Sequence, residues 1–105
     1  MDVLNLIAIY TNLFLLDKTM KVVHCKRQKY TVYIGRPSIF GNPYTIGKDG
    51  TREEVIEKYE QYARTNENLA IAIYKLKESD ILGCWCSPEK CHGDIIIKIW
   101  KEIHE

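Results

Sequence analysis

Apolar and polar positions change period along the chain, and the changes mark six elements after residue 20. Lys21-Val22-Val23-His24-Cys25 is short and β-branched, and Tyr30-Thr31-Val32-Tyr33-Ile34-Gly35 alternates. Both are predicted strands, read as neighbours joined by a basic linker over 26–29. After Thr51 the apolar positions Val55, Ile56, Tyr59, Tyr62 and Ala63 recur at helical spacing. Thr51 is placed as N-cap, with Glu54 three residues on closing a capping box. Glu54/Lys58 and Glu60/Arg64 are i,i+4 pairs for the exposed side. Asn66 interrupts the pattern, and residues 67–77 form a second helical stretch with Leu69, Ala70, Ile73 and Leu76 on one face. Residues 81–86 read as a strand, and 93–103 as a final helix turning Ile96, Ile99, Trp100 and Ile103 to the core.

Two strands, two helices, a strand and a helix predict one α/β domain over 20–105, a small two-layer or three-layer Rossmann-like fold with a mainly parallel sheet. In such sheets ligands sit beyond the carboxyl ends of the strands. Parallel strands would therefore bring the basic linker, the loop after Gly35 and the turn after Cys86 to one edge. That loop, from Gly35 to Gly50, holds four of the six glycines and two of the three prolines. A structureless stretch of such length in a small domain is usually functional, and the other reading is a surface loop packed by Ile39, Phe40 and Tyr44.

Residues 1–19 stand apart. They are strongly apolar, but Asp2 replaces the basic start of a signal peptide, and Asn5 and Asn12 break a run already too short to span a membrane. They are read as an upstream extension before a natural start at Met20, or as an element that makes a homodimer. The net charge of +1 conceals an asymmetry: residues 1–50 carry seven Lys/Arg and three Asp/Glu. A local electropositive patch follows, well short of the charge of a dedicated nucleic-acid binder. Four unevenly spaced cysteines without a secretion signal favour a reduced, cytoplasmic protein.

Chemistry concentrates in residues 82–94, where Cys84, Cys86, Cys91 and His92 lie within nine residues. They are enough in number for tetrahedral zinc, but their spacing is not that of the common zinc motifs, so no metal is favoured and no cofactor is expected. The alternative reading is an anion site at the start of the last helix. There Gly93 admits a close ligand, Asp94 caps the helix or serves as a base, and the helix start lowers the Cys91 pKa beside His92. Arg36 and Ser38 are candidate anion ligands from the distant loop, with Asn42 in a turn beside them.

The blocks Tyr33-Ile34-Gly35-Arg36-Pro37-Ser38, Gly41-Asn42-Pro43, Asp49-Gly50-Thr51-Arg52-Glu53-Glu54-Val55 and Leu82-Gly83-Cys84-Trp85-Cys86-Ser87-Pro88 with Cys91-His92-Gly93-Asp94 resemble, in order, those of domain-of-unknown-function family 4326 of phages, viruses and prokaryotes. The resemblance runs from about residue 20 to 103. It implies a small α/β domain and carries no activity. The leading expectation is a domain that binds a phosphorylated small molecule, a nucleotide or nucleotide-derived ligand, through Arg36, Ser38, Asn42 and Gly93, with hydrolysis or group transfer at Cys91, His92 and Asp94. The alternative is a non-enzymatic module, either zinc-containing and touching nucleic acid or a viral interaction protein.

Overall fold

The computed structural model describes residues 19–105. The expectations for the apolar start and its dimer therefore lie outside the described residues, Thr19 apart. The element order is β1 (Lys21–His24), β2 (Val32–Tyr33), α1 (Arg52–Thr65), α2 (Glu67–Tyr74), β3 (Ile81–Cys84) and α3 (His92–His104).

The sheet is wholly parallel, in the order β1-β3-β2. Val22 and Val32 both stand opposite Leu82, and His24 stands opposite Cys84. The two N-terminal strands are thus not neighbours, because β3 separates them. Strand alternation puts Val22, Val32, Leu82 and Cys84 on one face, and these pack with Tyr59, Ala63, Leu69, Ile73, Ile96 and Ile99 in a single core. The described helices cover that face, giving two layers. The Rossmann-like expectation holds only as far as parallel strands and a helical crossover between β2 and β3.

Gly83 points the other way. A β-carbon there would stand 2.6 Å from Cγ of Tyr30. The seven residues between β1 and β2 are few for a parallel crossover, which usually takes a dozen or more. They return on the face away from the helices, with the Tyr30 ring laid on the bare backbone of the central strand. Glycine at 83 permits this close approach.

The helices begin as their caps dictate. The Thr51 side chain accepts from the Glu54 N–H at 3.2 Å, and Glu54 Oε1 accepts from the Thr51 N–H at 2.9 Å. That box holds the Glu54 carboxyl below its ordinary range. Asn66 ends α1 and starts α2, its side-chain oxygen accepting from the Leu69 N–H at 3.0 Å. Three side chains depart from the expected pattern. Lys58 donates to the Asp49 carbonyl at 2.6 Å and acts on Glu54 through its charge alone, while Ile39 and Ile103 are exposed. The Glu60/Arg64 pair does form, and Arg64 also reaches Glu102 while Lys98 reaches Glu60, tying α1 to α3 across the surface.

Gly83→Ala is expected to destabilise the domain by roughly 1–3 kcal/mol through overpacking against Tyr30. In a urea-denaturation cycle, Tyr30→Ala should relieve most of that cost; additive losses would show that the ring does not set the need for glycine.

Candidate functional site

Because the three described strands run parallel, their carboxyl ends share one edge of the sheet, and α1 and α3 both start there. Between these ends lies a cleft of about 270 Å³. Its wall takes Gly35, Arg36, Asn42, Tyr44, Thr45 and Ile46 from the long loop, and Arg52, Val55 and Ile56 from the start of α1. Cys84, Trp85, Cys86, Lys90, Cys91 and His92 complete it from the end of β3 and the turn into α3. Among the described residues three cations and no carboxylate line it.

The loop is built by its own polar side chains. Asn42 donates to the Val55 carbonyl at 3.1 Å and accepts from the Tyr44 N–H at 2.9 Å, while Asp49 accepts from the Thr45 N–H at 2.7 Å. Thr45 in turn receives Nη1 of Arg36 at 3.2 Å, which sets that guanidinium at the cleft. Arg52 donates to the Lys90 carbonyl at 3.0 Å and pairs with Glu89 at 2.9 Å, so it clamps α1 to the turn before α3. A hydrogen bond to Cys86, ahead of the nearby acids, raises its pKa further. Both halves are also joined through Tyr33, whose hydroxyl accepts from Trp85 Nε1 at 2.9 Å and donates to the Arg36 carbonyl at 3.3 Å.

Residues 19–102 match the profile of the family described as Domain of unknown function (DUF4326). The chain belongs to this family. Two relatives of the DUF4326 domain are similar over most of their length. One is the uncharacterized protein R718 of Acanthamoeba polyphaga mimivirus, 35% identical over 74% of this chain and 72% of its own. The other is an uncharacterized 12.4 kDa protein in the nrdA-td intergenic region of Enterobacteria phage T4, 34% identical over 85% of this chain and 84% of its own. No solved structure matches the chain.

Within this DUF4326 domain the residues singled out from sequence divide. Arg36, Asn42, Cys91 and His92 line the cleft; Ser38, Gly93 and Asp94 do not. Both ends of the Asn42 amide already hold backbone, so its first task is to shape the loop. Ser38 Oγ is buried without a partner among the described residues. Gly93 was expected to admit a ligand, but a β-carbon there would stand 2.7 Å from Val22 and 2.9 Å from Ile34. It serves close packing of α3 on the sheet. Asp94 is exposed, and its carboxylate accepts from the Cys91 N–H at 3.3 Å as the second half of a capping box. His92 is buried, with Nε2 donating to the Ile34 carbonyl at 2.7 Å and its ring edge-on to Tyr59. Burial pushes its pKa down, so it stays neutral, with the proton on Nε2 and the lone pair on Nδ1.

The two buried thiols form one unit. Cys84 and Cys91 sulfurs stand 3.3 Å apart, and Cys91 also caps α3 by accepting from the Gly93 N–H at 3.3 Å. A hydrogen bond from Cys91, with backbone N–H groups of Ser87 and Cys86, pulls the Cys84 thiol down to about 6 against the cost of burial. Cys91 moves the opposite way, because it donates to Cys84 and is itself buried. The expectation that the helix start would activate Cys91 is thus reversed: the proton it holds stabilises a thiolate at Cys84. All four cysteines are free, and among the described residues no group of three or more His, Cys, Asp or Glu is arranged to hold a metal ion. Cys84, Cys86, Cys91 and His92 therefore do not form a ready zinc cage.

Sequence reasoning missed Arg52, Trp85 and Lys90. Arg52 carried a signal: a cation in the first turn of a helix opposes the macrodipole, so its place there asks for an electrostatic partner or ligand.

Thiolate absorbance should show one transition near pH 6, moved up in Cys91→Ala. For a group depressed on folding, stability is present above the unfolded pKa and lost as pH falls through the folded one. Cys84 and His92 both shift down, so the melting temperature should drop as pH falls from about 8.5 to below 6, the span between the ordinary thiol and the lowered values. Cys84→Ala should flatten the upper part of that drop. A pH-independent melting temperature would contradict the assignment.

Proposed function

We propose that this protein binds a phosphorylated small molecule, a nucleotide or nucleotide-derived ligand, in the cleft at the carboxyl edge of its sheet. The observation that carries this reading is charge: Arg36, Arg52 and Lys90 come from three separate parts of the chain and line one cleft, with no carboxylate among the described residues of its wall. The nearest carboxylate, Glu89, pairs with Arg52 at 2.9 Å from outside the wall, and leaves Arg36 and Lys90 without an ion pair among the described residues. Guanidinium groups fixed by Thr45 and by the Lys90 carbonyl can offer paired donors to phosphate oxygens at little ordering cost. The N-termini of α1 and α3 add positive potential at the same edge.

The cleft's volume lies near the small end of ligand sites, fitting a mononucleotide-sized molecule better than an extended cofactor. Tyr44, Ile46, Val55 and Ile56 supply an apolar wall for a ring. The reading is one of binding. The Cys84 thiolate, hydrogen-bonded by Cys91 in a cleft wall that also holds the neutral His92, is the group from which a hydrolysis or transfer step would start. Asp94 has no part in it, because its carboxylate is committed to the helix cap. A reducing cytoplasm is the setting this reading takes, supported by four free cysteines. Among the described residues no helix is long and apolar enough to cross a membrane.

A thermal-shift panel of nucleoside mono-, di- and triphosphates, sugar phosphates and inorganic phosphate should find stabilisation that rises with ligand concentration. Arg36→Ala and Arg52→Ala should each weaken binding by about 10- to 100-fold, as expected when a charge-assisted hydrogen bond is removed. No stabilisation by any member, or variants that bind as the parent does, would overturn the reading.

A further inference from the structure

We propose that the nucleotide held in the cleft is one residue of a single-stranded nucleic acid, whose neighbouring base stacks on Trp85 and whose phosphates follow Lys26, Arg27 and Lys29. This rests on the cleft reading and extends it from a free molecule to a polymer.

Trp85 is the observation that leads there. It lines the cleft, yet 56% of it is exposed, an unusual place for the largest apolar side chain. Its orientation is nevertheless fixed. Nε1 donates to the Tyr33 hydroxyl, the His24 ring packs edge-on at 5.8 Å, and the Lys26 ammonium stands 5.5 Å from the ring centroid. An exposed indole held in one position loses little entropy when a flat partner stacks on it. Through Tyr33 the same ring is registered to the Arg36 carbonyl, so platform and cleft form one surface.

The basic linker lies beside it. Arg27 and Gln28 both donate backbone N–H groups to the His24 carbonyl, at 3.0 and 3.1 Å, which fixes the turn that carries Lys26, Arg27 and Lys29 into solvent. From residue 18 to 48 the sequence holds seven Lys/Arg and no Asp/Glu. Arg36 of the cleft and the linker's cations therefore belong to one acid-free segment, which reaches Trp85 at Lys26 and, through Tyr33, at Arg36. Alternating phosphates and base faces match such a track. A duplex does not, because its base faces are stacked inside.

The test uses the whole protein and a fluorescein-labelled oligothymidylate of about twelve nucleotides, a length within the usual site sizes, with thymidine monophosphate and a duplex of equal length beside it. Anisotropy should give tighter binding of the single strand than of the mononucleotide. Its affinity should fall with salt, and a Lys26→Ala/Arg27→Ala/Lys29→Ala variant should reduce the log–log slope by about 2, at roughly 0.7 for each phosphate no longer neutralised. That variant alters exposed side chains only and should bind the mononucleotide as the parent does. Trp85→Ala should weaken the oligonucleotide by roughly tenfold or more. If the mononucleotide binds but the oligonucleotide binds no tighter, the inference fails and the cleft reading stands. If neither binds, both fail. Equal affinity for the duplex, or an unchanged salt slope in the linker variant, overturns the track.

Discussion

The constraint on which this structure depends is the parallel pairing of β3 with a strand on each side. Its residues Leu82 and Gly83 carry partners on both edges, so the shortest crossover in the fold must pass over the central strand. Tyr30 fills the space above Gly83 and makes that passage compact. With the direction of all three strands fixed, the ends at His24, Tyr33 and Cys84 meet at one edge, and residues as distant in sequence as His24 and Cys84 become neighbours. No local interaction could achieve this. Sheet topology does, and the cleft is its consequence.

At that edge, structural and chemical duties share the same atoms. Cys91 caps α3 with its sulfur and lends its proton to Cys84; His92 fastens the helix start to the Ile34 carbonyl and still lines the cleft. A neutral hydrogen bond contributes about 1 kcal/mol, and one to a charged group somewhat more. Several such bonds converge within a short stretch of chain, so the turn between β3 and α3 is held rigid by groups that also face the cleft. Tyr59 plays the matching part inside. Its hydroxyl donates to the Phe40 carbonyl at 2.7 Å, and burial keeps it protonated well above the ordinary phenol range, which anchors the long loop to α1.

How much of this the sequence disclosed depended on the range of the interaction. The Thr51–Glu54 box, the Asn66 break and the apolar faces of the helices follow from spacing within a few residues, and they appear as expected. Parallel strands and a shared carboxyl edge followed from the helical crossover. The sheet order did not, since nothing local says that residues 81–84 enter between 21–24 and 32–33. In the site, Arg36, Cys91 and His92 were legible as residue types dense in chemistry. Gly93 was misread, and Asp94 stayed open between cap and base, because a glycine and an acid at a helix start look alike whether they serve packing and capping or a ligand. The Cys84–Cys91 contact was hidden by the turn that folds them together, and with it which thiol carries the charge.

If the two halves of the chain make one anion-binding surface at the carboxyl edge of the sheet, a single ligand must touch both. Backbone amide chemical shifts followed during titration with a nucleoside monophosphate test this most directly. One saturable set of changes is expected at Arg36, Thr45, Arg52 and residues 85–92, with the outer face of α1 around Glu57 and Gln61 unmoved. Changes confined to one half of that set, spread over the helical surface, or absent at saturating ligand would contradict it.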